Sequence, residues 1–262
     1  MTELVKVTVE GGVHRITLNR PEVMNALSSQ MRRELLAAIT EATITGAASQ
    51  ARCIVLTGAG RAFWSGQDLQ DAVALGELDL GRILAEEYEP LLQAIYDCPV
   101  PTIAAVNGAA AGAGANLALA CDVVIAAESA SFIQAFTRIG LIPDAGGTYW
   151  LPRQIGMARA MGAALFAEKI MAAQAVDWGM IWEAVPDAGF AAHVAGRAAQ
   201  LATGPTSAYR LVKQALRASP ANGLDAQLAL EARLQSEAGA TEDFREGVAA
   251  FLEKRPARYR GA

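Results

Sequence analysis

The stretch PTIAAVNGAAAGAGANLALACDVVIAAESASF, residues 101–132, contains two different kinds of pattern. TIAAVNG is a continuous apolar run that ends in a turn, and DVVIAAES is a second run of the same kind. AAGAGANLALAC, between them, consists mainly of small residues and favours a helix. A strand, a turn, a helix and another strand, with strands that are apolar throughout, indicate a sheet that is covered on both faces.

The chain on the N-terminal side of this stretch continues the pattern. LVKVTVE and VHRITLNR flank Gly11 and Gly12 and predict a β-hairpin. Ser28 opens the amphipathic segment SSQMRRELLAAITEA and is a suitable N-cap. RCIVLTG predicts a buried strand, and the glycine-rich GAGRAFWSGQDL after it predicts a loop. RILAEEYEPLLQAIYDC predicts a helix ended by Pro99, and the polar stretch 70–81 is expected to be mobile.

The strand signal fades beyond about residue 150, where helical patterns dominate. The last 60 or so residues predict helices separated by GP, SPANG and GAT. We therefore predict an α/β core over residues 1–195 and a helical C-terminal region over residues 196–262.

Composition excludes several classes of function. The 262 residues carry a net charge of -5 and include no basic run, so we expect no nucleic-acid partner. No apolar run reaches the length of a membrane span, and MTELVKVTVE lacks the apolar segment of a signal peptide. Cys53, Cys98 and Cys121 are odd in number and lie in or beside apolar segments. Reduced, buried thiols in a cytoplasmic protein are therefore expected.

Several common catalytic motifs are missing. The sequence has no Walker A run, and GAGANL lacks the third glycine of a dinucleotide fingerprint. His14 and His193 are the only histidines, and no cysteine or histidine cluster has metal-ligand spacing, so we predict no metal site. A Ser-His-Asp triad stays open, although no serine sits in a nucleophile elbow. The chemistry is therefore expected to use backbone groups and carboxylates.

Three segments together resemble the crotonase superfamily, the enoyl-CoA hydratase/isomerase family. They are GAGRAFWSGQDL, residues 101–132 and AFTRIGLIPDAGGTYWLPRQIG, with ITLNRPEVMNAL and FREGVAAFLEKR agreeing in order and spacing. The resemblance covers essentially the whole chain. It implies an α/β crotonase-like spiral of ββα units, followed by a C-terminal helical region that mediates trimers, often paired into hexamers.

The resemblance implies an oxyanion hole for a coenzyme A thioester. A proton leaves the carbon beside the thioester carbonyl only if the resulting enolate oxygen is stabilised, and removing one backbone donor typically costs about 3 to 4 kcal/mol in the barrier. Carried over by position, the two donors are the N–H groups of Ser65 and Ala113. Gly66, Gly112 and Gly114 lack a Cβ and therefore allow a thioester to approach the backbone.

The two glutamates that family hydratases use to add water are missing here. Their positions correspond to Asn116 and Phe136, which we place at the substrate. Amide and phenyl side chains cannot deprotonate a water molecule or protonate carbon. We therefore expect hydration to be inefficient.

Asp144 stands where family hydratases carry glycine, and two roles are open to it. Asp is a good N-cap, and DAGGTYW is a plausible helix start. One carboxylate is also sufficient for an isomerase, because it can take a proton from one carbon and return it to another. We favour this proton shuttle, in a dry site that raises the pKa of Asp144 and is lined by Phe136, Ile139, Leu141 and Ile142.

Within the superfamily, the segments around Asp144 look most like the ring-1,2-epoxyphenylacetyl-CoA isomerases of phenylacetate breakdown. This implies conversion of the ring epoxide, 2-(1,2-epoxy-1,2-dihydrophenyl)acetyl-CoA, to oxepin-CoA. The alternatives are a 3,4-to-2,3 enoyl-CoA isomerase, a weak hydratase, an enzyme whose aspartate attacks the substrate, and a non-catalytic CoA-binding scaffold or RNA-binding relative. Trp64 departs from the small residue expected beside the oxyanion donor; it either reshapes the acyl pocket or is a core aromatic.

The resemblance also implies the contacts to coenzyme A, which is part of the substrate, so no separate cofactor is expected. These contacts are expected from the loop after the first hairpin, from the loop after the LTG strand and from the C-terminal region. The predicted residues are Asn25, Ala26, Ala62, Ser65, Gln67, Asp68 and Lys254.

Overall fold

The computed structural model describes residues 3–44, 50–68 and 79–262 and contains two sheets. The larger sheet has six strands in the order β1-β2-β3-β5-β7-β10, and the smaller has four in the order β4-β6-β8-β9. The strands are β1 Val5–Glu10, β2 Val13–Leu18, β3 Cys53–Gly58, β4 Ala62–Trp64, β5 Thr102–Val106, β6 Ala109–Ala111, β7 Val123–Ala127, β8 Ser131–Ile133, β9 Ile170–Met171 and β10 Glu183–Val185.

Helices follow or cover the strands and make up the C-terminal region. They are α1 Ser29–Ala42, α2 Leu80–Ile83, α3 Glu89–Tyr96, α4 Ala113–Ala120, α5 Gly147–Phe166, α6 Ala172–Asp177, α7 Phe190–Ala202, α8 Thr206–Ala218, α9 Leu224–Gly239 and α10 Glu242–Glu253. The boundary predicted at residue 195 falls inside α7. None of the helices in the described residues is both long and apolar enough to cross a membrane.

The spiral of ββα units is confirmed. Strands β3, β5 and β7 are parallel neighbours in the larger sheet, and β4, β6 and β8, each next in the chain, are parallel neighbours in the smaller one. A helical segment follows each pair of strands. Each turn of the chain therefore adds one strand to each sheet and then one helical layer.

The hairpin and the first helix also form as predicted. β1 and β2 pair antiparallel, and both turn residues, Gly11 and Gly12, have positive φ. Glycine suits this turn because it adopts positive φ without a steric penalty. Ser28 caps α1, since its hydroxyl accepts a hydrogen bond from the Met31 N–H.

The larger sheet is covered on both faces, as its continuous apolar strands indicate. Ile54 and Leu56 of β3 belong to the main core, whereas Cys53 and Val55, pointing the other way, pack in a second cluster with α7. Successive side chains of a strand point to opposite faces, so a strand that is covered on both faces is apolar at every position. The three cysteines are buried free thiols, as predicted.

The sequence-based prediction did not include the short strands β4, β6, β8, β9 and β10. Ala62–Trp64, predicted as loop, form β4, because pairing with β6 and burial of all three residues outweigh the glycine-rich flanks. The short strands β9 and β10 were missed, because two or three residues give no periodic signal. The polar stretch 70–81 lies largely outside the described residues.

The predicted helix before Pro99 is interrupted by a π-helical segment, Leu84–Tyr88, between α2 and α3. Pro90 is the second residue after this segment, in the first turn of α3. Proline has no N–H for the usual hydrogen bond to the carbonyl four residues earlier, which removes one constraint of regular α-helix at this point. Such wide turns are frequent near functional sites.

Candidate active site

Three parallel strands of the smaller sheet end at one edge. β4 leads into Ser65 and Gly66, β6 into Gly112 and Ala113, and β8 into the short helical turn that contains Phe136. Because β6 pairs parallel to both β4 and β8, these three loops emerge side by side. Parallel sheets usually bind ligands at this carboxyl edge of their strands.

Asn25 supports the loop around β4. Its side chain is fully buried, and its Nδ2 donates to the carbonyl oxygens of Ala59 and Ala62, each at 2.9 Å, and of Phe63 at 3.3 Å. The Asn25 Oδ1 accepts from the Arg20 N–H at 2.9 Å. The Asn25 side chain therefore fixes the loop from the interior, and the contact predicted between Asn25 and coenzyme A stays a prediction.

The other predicted coenzyme A residues near the hairpin lie together. Gln67 forms an isolated bridge with Leu27, and Asp68 pairs with Arg20 at 3.0 Å. The Arg20 guanidinium also donates to the Ala26 carbonyl at 2.7 Å. The loop after β2 and the loop after β4 therefore form one continuous surface. Lys254 is exposed at the end of α10, in the C-terminal helices.

The two predicted oxyanion donors differ in their present partners. Ala113 is the first residue of α4, where backbone N–H groups have no acceptor within the helix. Gly112 before it adopts φ 53° and ψ -129°, a conformation suited to glycine. The Ser65 N–H, in contrast, donates to the Met24 carbonyl at 3.1 Å. A thioester oxygen would have to share or replace that acceptor.

Glycine is sterically required where α4 meets β4. A Cβ added at Gly114 would lie 2.3 Å from the Cβ of Trp64, far inside van der Waals contact. Trp64 is only 1% exposed, belongs to the main core and packs edge-on against Phe63. Trp64 is therefore a core aromatic, and it positions the start of α4 against the strand that leads to Ser65.

Asn116, predicted to meet substrate, supports the backbone of Asp144. Its side chain is 0% exposed, and its Nδ2 donates to the main-chain carbonyl of Asp144 at 2.7 Å. Its Oδ1 accepts from the Gln134 Nε2 at 2.7 Å. Each end of the Asn116 amide thus has a hydrogen-bond partner inside the protein, and the substrate contact of Asn116 stays a prediction. Gln134 was missed, because a single glutamine after an apolar run carries no distinctive signal.

Phe136 lies at the expected place. Its ring covers Gly112, with the ring Cζ 3.6 Å from where a Cβ of that glycine would be. Two other residues predicted to line a dry site are not buried in the single chain. Ile139 is 57% exposed and Ile142 is 77% exposed. Within the described residues, the apolar wall beside Gly112 is therefore built from Phe136 rather than from the isoleucines.

Asp144 does not cap the helix that follows it. α5 begins at Gly147, its N-cap is Gly146, and no side chain makes a capping hydrogen bond. One carboxylate oxygen of Asp144, Oδ1, is buried and has no hydrogen-bond partner in the described part of the chain. Burial raises the pKa of Asp144 to about 6, against a smaller lowering effect of its own N–H. The capping alternative is thus excluded, and the carboxyl group of Asp144 gains or loses its proton near pH 6.

Tyr88, which the sequence did not single out, shares the buried region of Asp144. Burial raises its pKa to about 12, and the charge of Asp144 contributes in the same direction. The Tyr88 hydroxyl accepts from Arg32 Nη1 at 3.3 Å, and Arg32 pairs with Glu87 at 2.7 Å. Tyr88 ends the π-helical segment, so the irregular turn positions this hydroxyl.

Comparison with known proteins agrees with this geometry. The profile of the enoyl-CoA hydratase/isomerase family matches residues 8–262. The chain belongs to that family. It is 65% identical over 257 residues to a probable enoyl-CoA hydratase of Rhodobacter capsulatus, covering 98% of each protein. It is 47% identical over 264 residues to the 1,2-epoxyphenylacetyl-CoA isomerase of Escherichia coli, covering 100% of each.

Solved structures of enoyl-CoA hydratase/isomerase family members have the same fold. A crystal structure of an enoyl-CoA hydratase from Bacillus anthracis superposes with a TM-score of 0.93 at 33% identity, covering 99% of this chain and 100% of that one. One from Mycobacterium abscessus, described as a putative enoyl-CoA hydratase/isomerase, gives 0.92 at 38% identity and covers 98% and 100%. The family resemblance seen in the sequence is thus confirmed.

The raised pKa of Asp144 predicts the pH dependence of this family member. A carboxylate that removes a proton must be ionised, so if Asp144 is the base of an isomerase, kcat for a 3-enoyl-CoA is expected to rise with pH, with its midpoint at about 6. Steady-state rates between about pH 4.5 and 8.5 measure this profile. A rate that is constant across that range would contradict Asp144 as the base.

Proposed function

We propose that this enzyme is an acyl-CoA isomerase in which Asp144 moves one proton between two carbons of the acyl group. The buried, unpartnered oxygen of Asp144 carries the proposal. A carboxylate with a pKa of about 6 accepts a proton from carbon and returns it without being trapped in either state. No atom is gained or lost, because the proton taken from one carbon is returned to another.

We place the thioester oxygen between the N–H groups of Ala113 and Ser65. As the carbon beside the thioester loses its proton, negative charge moves to this oxygen, and backbone donors stabilise it. The Ser65 N–H already has the Met24 carbonyl as acceptor. Its contribution is therefore the difference between a hydrogen bond to an enolate and one to a neutral carbonyl, and charged acceptors bind more strongly.

For the acyl group, we propose the ring epoxide of phenylacetyl-CoA, which would be converted to oxepin-CoA. The 47% identity to the Escherichia coli 1,2-epoxyphenylacetyl-CoA isomerase over the full length supports this substrate. In this conversion the ring carbon–carbon bond bridged by the epoxide oxygen breaks, and its electron pair goes into the double bonds of the seven-membered ring. Isomerisation of 3-enoyl-CoA to 2-enoyl-CoA requires only the proton movement and is proposed as a second activity. Coenzyme A is part of either substrate, so the reaction needs no additional cofactor.

Enoyl-CoA hydration is the competing candidate, because the 65% identical relative is described as a probable enoyl-CoA hydratase. Hydration requires a base for water and an acid for carbon. The two positions that hydratases use hold Asn116, whose amide is occupied, and Phe136, which has no proton to exchange. These side chains favour isomerisation.

We also propose a cytoplasmic homotrimer, alone or paired into a hexamer. Apolar side chains on the C-terminal helices support an assembly, because isolated surfaces of this kind are usually covered by a partner. Those exposed on α10 are Phe244, Val248, Phe251 and Leu252.

Product analysis with three thioesters tests the proposal. We expect the ring epoxide of phenylacetyl-CoA to give oxepin-CoA, a 3-enoyl-CoA to give the 2-enoyl-CoA, and crotonyl-CoA to be hydrated more slowly by about 10²-fold or more, because no second carboxylate assists water. Products are separated by mass and by absorbance, since hydration adds one water whereas both isomerisations leave the mass unchanged.

Each thioester has its own control. Rapid hydration of crotonyl-CoA would overturn the isomerase assignment, and turnover of the 3-enoyl-CoA without the epoxide would overturn the aromatic substrate. Intact-protein mass after mixing distinguishes a carboxylate that attacks the substrate, because attack leaves a covalent adduct on the chain. Binding of all three thioesters without turnover would identify a non-catalytic scaffold.

A further inference from the structure

We infer that Asn116 and Gln134 act as a positioning pair that holds the backbone of Asp144 and contacts no substrate. The inference rests on the proposed role of Asp144 as the proton shuttle. Residue 116 corresponds to a catalytic glutamate of family hydratases. In this chain we assign to it the role of holding the backbone of Asp144.

The pair connects three separate elements in the interior. Asn116 lies in α4, Gln134 directly follows β8, and Asp144 lies in the turn before α5. Gln134 Nε2 donates to Asn116 Oδ1 at 2.7 Å, and Asn116 Nδ2 donates to the Asp144 carbonyl at 2.7 Å. Asn116 is 0% exposed and Gln134 is 1% exposed. Both amide side chains are therefore shielded from water, and hydrogen bonds are stronger in such an interior than in water.

The helix start rests directly on the Asn116 amide. A Cβ added at Gly147 would lie 2.4 Å from Asn116 Nδ2 and 2.8 Å from its Cγ, so only glycine fits there. The Gly147 N–H also donates to the Asp144 carbonyl, at 2.8 Å. That carbonyl thus accepts two hydrogen bonds, which is the capacity of its two lone pairs.

The turn that these bonds hold is strained. Ala145, directly after Asp144, has φ 47°, and Gly146 has φ 80°. An alanine in the left-handed region is unfavourable and persists only where surrounding contacts fix it. The double hydrogen bond at the Asp144 carbonyl supplies such contacts. Loss of the Asn116 donor is expected to let the peptide after Asp144 rotate, and the carboxylate would move with it.

The chemistry explains why an amide suits this position. A carboxylate at residue 116 has no N–H to donate and would place a negative charge against the Asp144 carbonyl oxygen. It would also disfavour ionisation of the nearby Asp144. Asn116→Asp keeps the size and shape of the side chain, removes the donor and adds an ionisable oxygen. The value of kcat therefore reports on the lost donor, and the pH profile reports on the added charge.

We expect Asn116→Asp to lower kcat for 3-enoyl-CoA isomerisation by about 10- to 100-fold with little change in KM, because displaced catalytic groups act on the reacting atoms. The inflection of the rate profile is expected to move to higher pH, since a second carboxylate lies beside Asp144. Tyr88, at the end of the π-helical segment, is a neighbouring titratable group. With a pKa of about 12, it stays neutral over the pH range of the rate profile. Asn222→Asp, which removes a donor to Gln227 in the C-terminal helices, is the matched control and should leave both quantities unchanged.

A merely structural role would lower the melting temperature and leave kcat unchanged, and that outcome would overturn the inference. Gln134→Glu removes the donor to Asn116 while keeping Asn116, and should give a smaller shift in the same direction. It decides the matter if Asn116→Asp does not fold, because an unchanged kcat in Gln134→Glu would also overturn the pair. An active Asp144→Asn variant would instead overturn the proposed function itself.

Discussion

Asp144→Asn is expected to lower isomerisation by about 10²- to 10⁴-fold, because an amide cannot accept a proton from carbon. Affinity for the substrate thioester should stay within a few fold, since the proposed thioester contacts come from the backbone of Ser65 and Ala113. Steady-state rates with a 3-enoyl-CoA, together with calorimetric binding of a non-reactive saturated acyl-CoA, measure the two quantities separately. Full activity in this variant would contradict the proton shuttle.

The same substitution is expected to stabilise the protein at neutral pH. The folded-state pKa of Asp144 is about 6, above its ordinary value of 3.8. Between these values the folded state binds more protons than the unfolded state, so stability falls as pH rises through this window. Above about pH 6 the full cost of the buried carboxylate is present, at most about 3 kcal/mol for a difference of about 2 in pKa.

Chemical denaturation at two pH values tests this effect. The asparagine variant is expected to exceed the wild type clearly in free energy of unfolding at about pH 8. The difference should nearly vanish at about pH 4, because there the folded wild-type carboxyl is protonated and the unfolded one, with its ordinary pKa of 3.8, is about half protonated. An equal difference at both pH values would mean that burial of the charge is not the cause. An asparagine variant that is more stable but inactive would show that the Asp144 carboxylate serves activity at the expense of stability, as is common in active sites.

The sequence could predict those parts of the site that depend on local pattern or on family position. Gly11 and Gly12 predict the hairpin turn, and the apolar runs predict the covered sheet, because these features depend on neighbouring residues. Ser65, Ala113 and Phe136 were placed by resemblance, and the structure brings their loops to one sheet edge.

What the sequence could not predict depends on contacts between distant residues. Asn116 and Asp144 are 28 positions apart, and only the fold shows that an amide nitrogen meets a main-chain carbonyl. The missing cap at α5 has the same origin, since the chain turns twice through positive φ before the helix begins. The position of Tyr88 depends on a π-helical turn, which no propensity distinguishes from an ordinary helix.

Gly58→Ala is expected to destabilise the protein strongly, although residue 58 is remote from the reacting groups. A Cβ there would lie 2.2 Å from the Ala62 carbonyl oxygen, 2.5 Å from that of Phe63 and 2.7 Å from Asn25 Nδ2. Two of these atoms belong to the backbone, which cannot move aside as a flexible side chain does. The third is the amide that holds the loop before Ser65, so one methyl group would disturb both the end of β3 and the oxyanion loop.

We expect Gly58→Ala to lower the free energy of unfolding by about 3 kcal/mol or more, the upper end of overpacking effects in a dense core. The remaining folded protein should isomerise slowly, because displacement of β4 moves the Ser65 donor. Gly196→Ala is the matched control, since Gly196 lies on the exposed face of α7 with nothing within 4 Å of an added Cβ. It should stabilise by about 0.5 to 1 kcal/mol, because alanine favours a helix interior over glycine. Urea denaturation of both variants measures the contrast, and equal effects would mean that backbone freedom, rather than steric contact, requires glycine at residue 58.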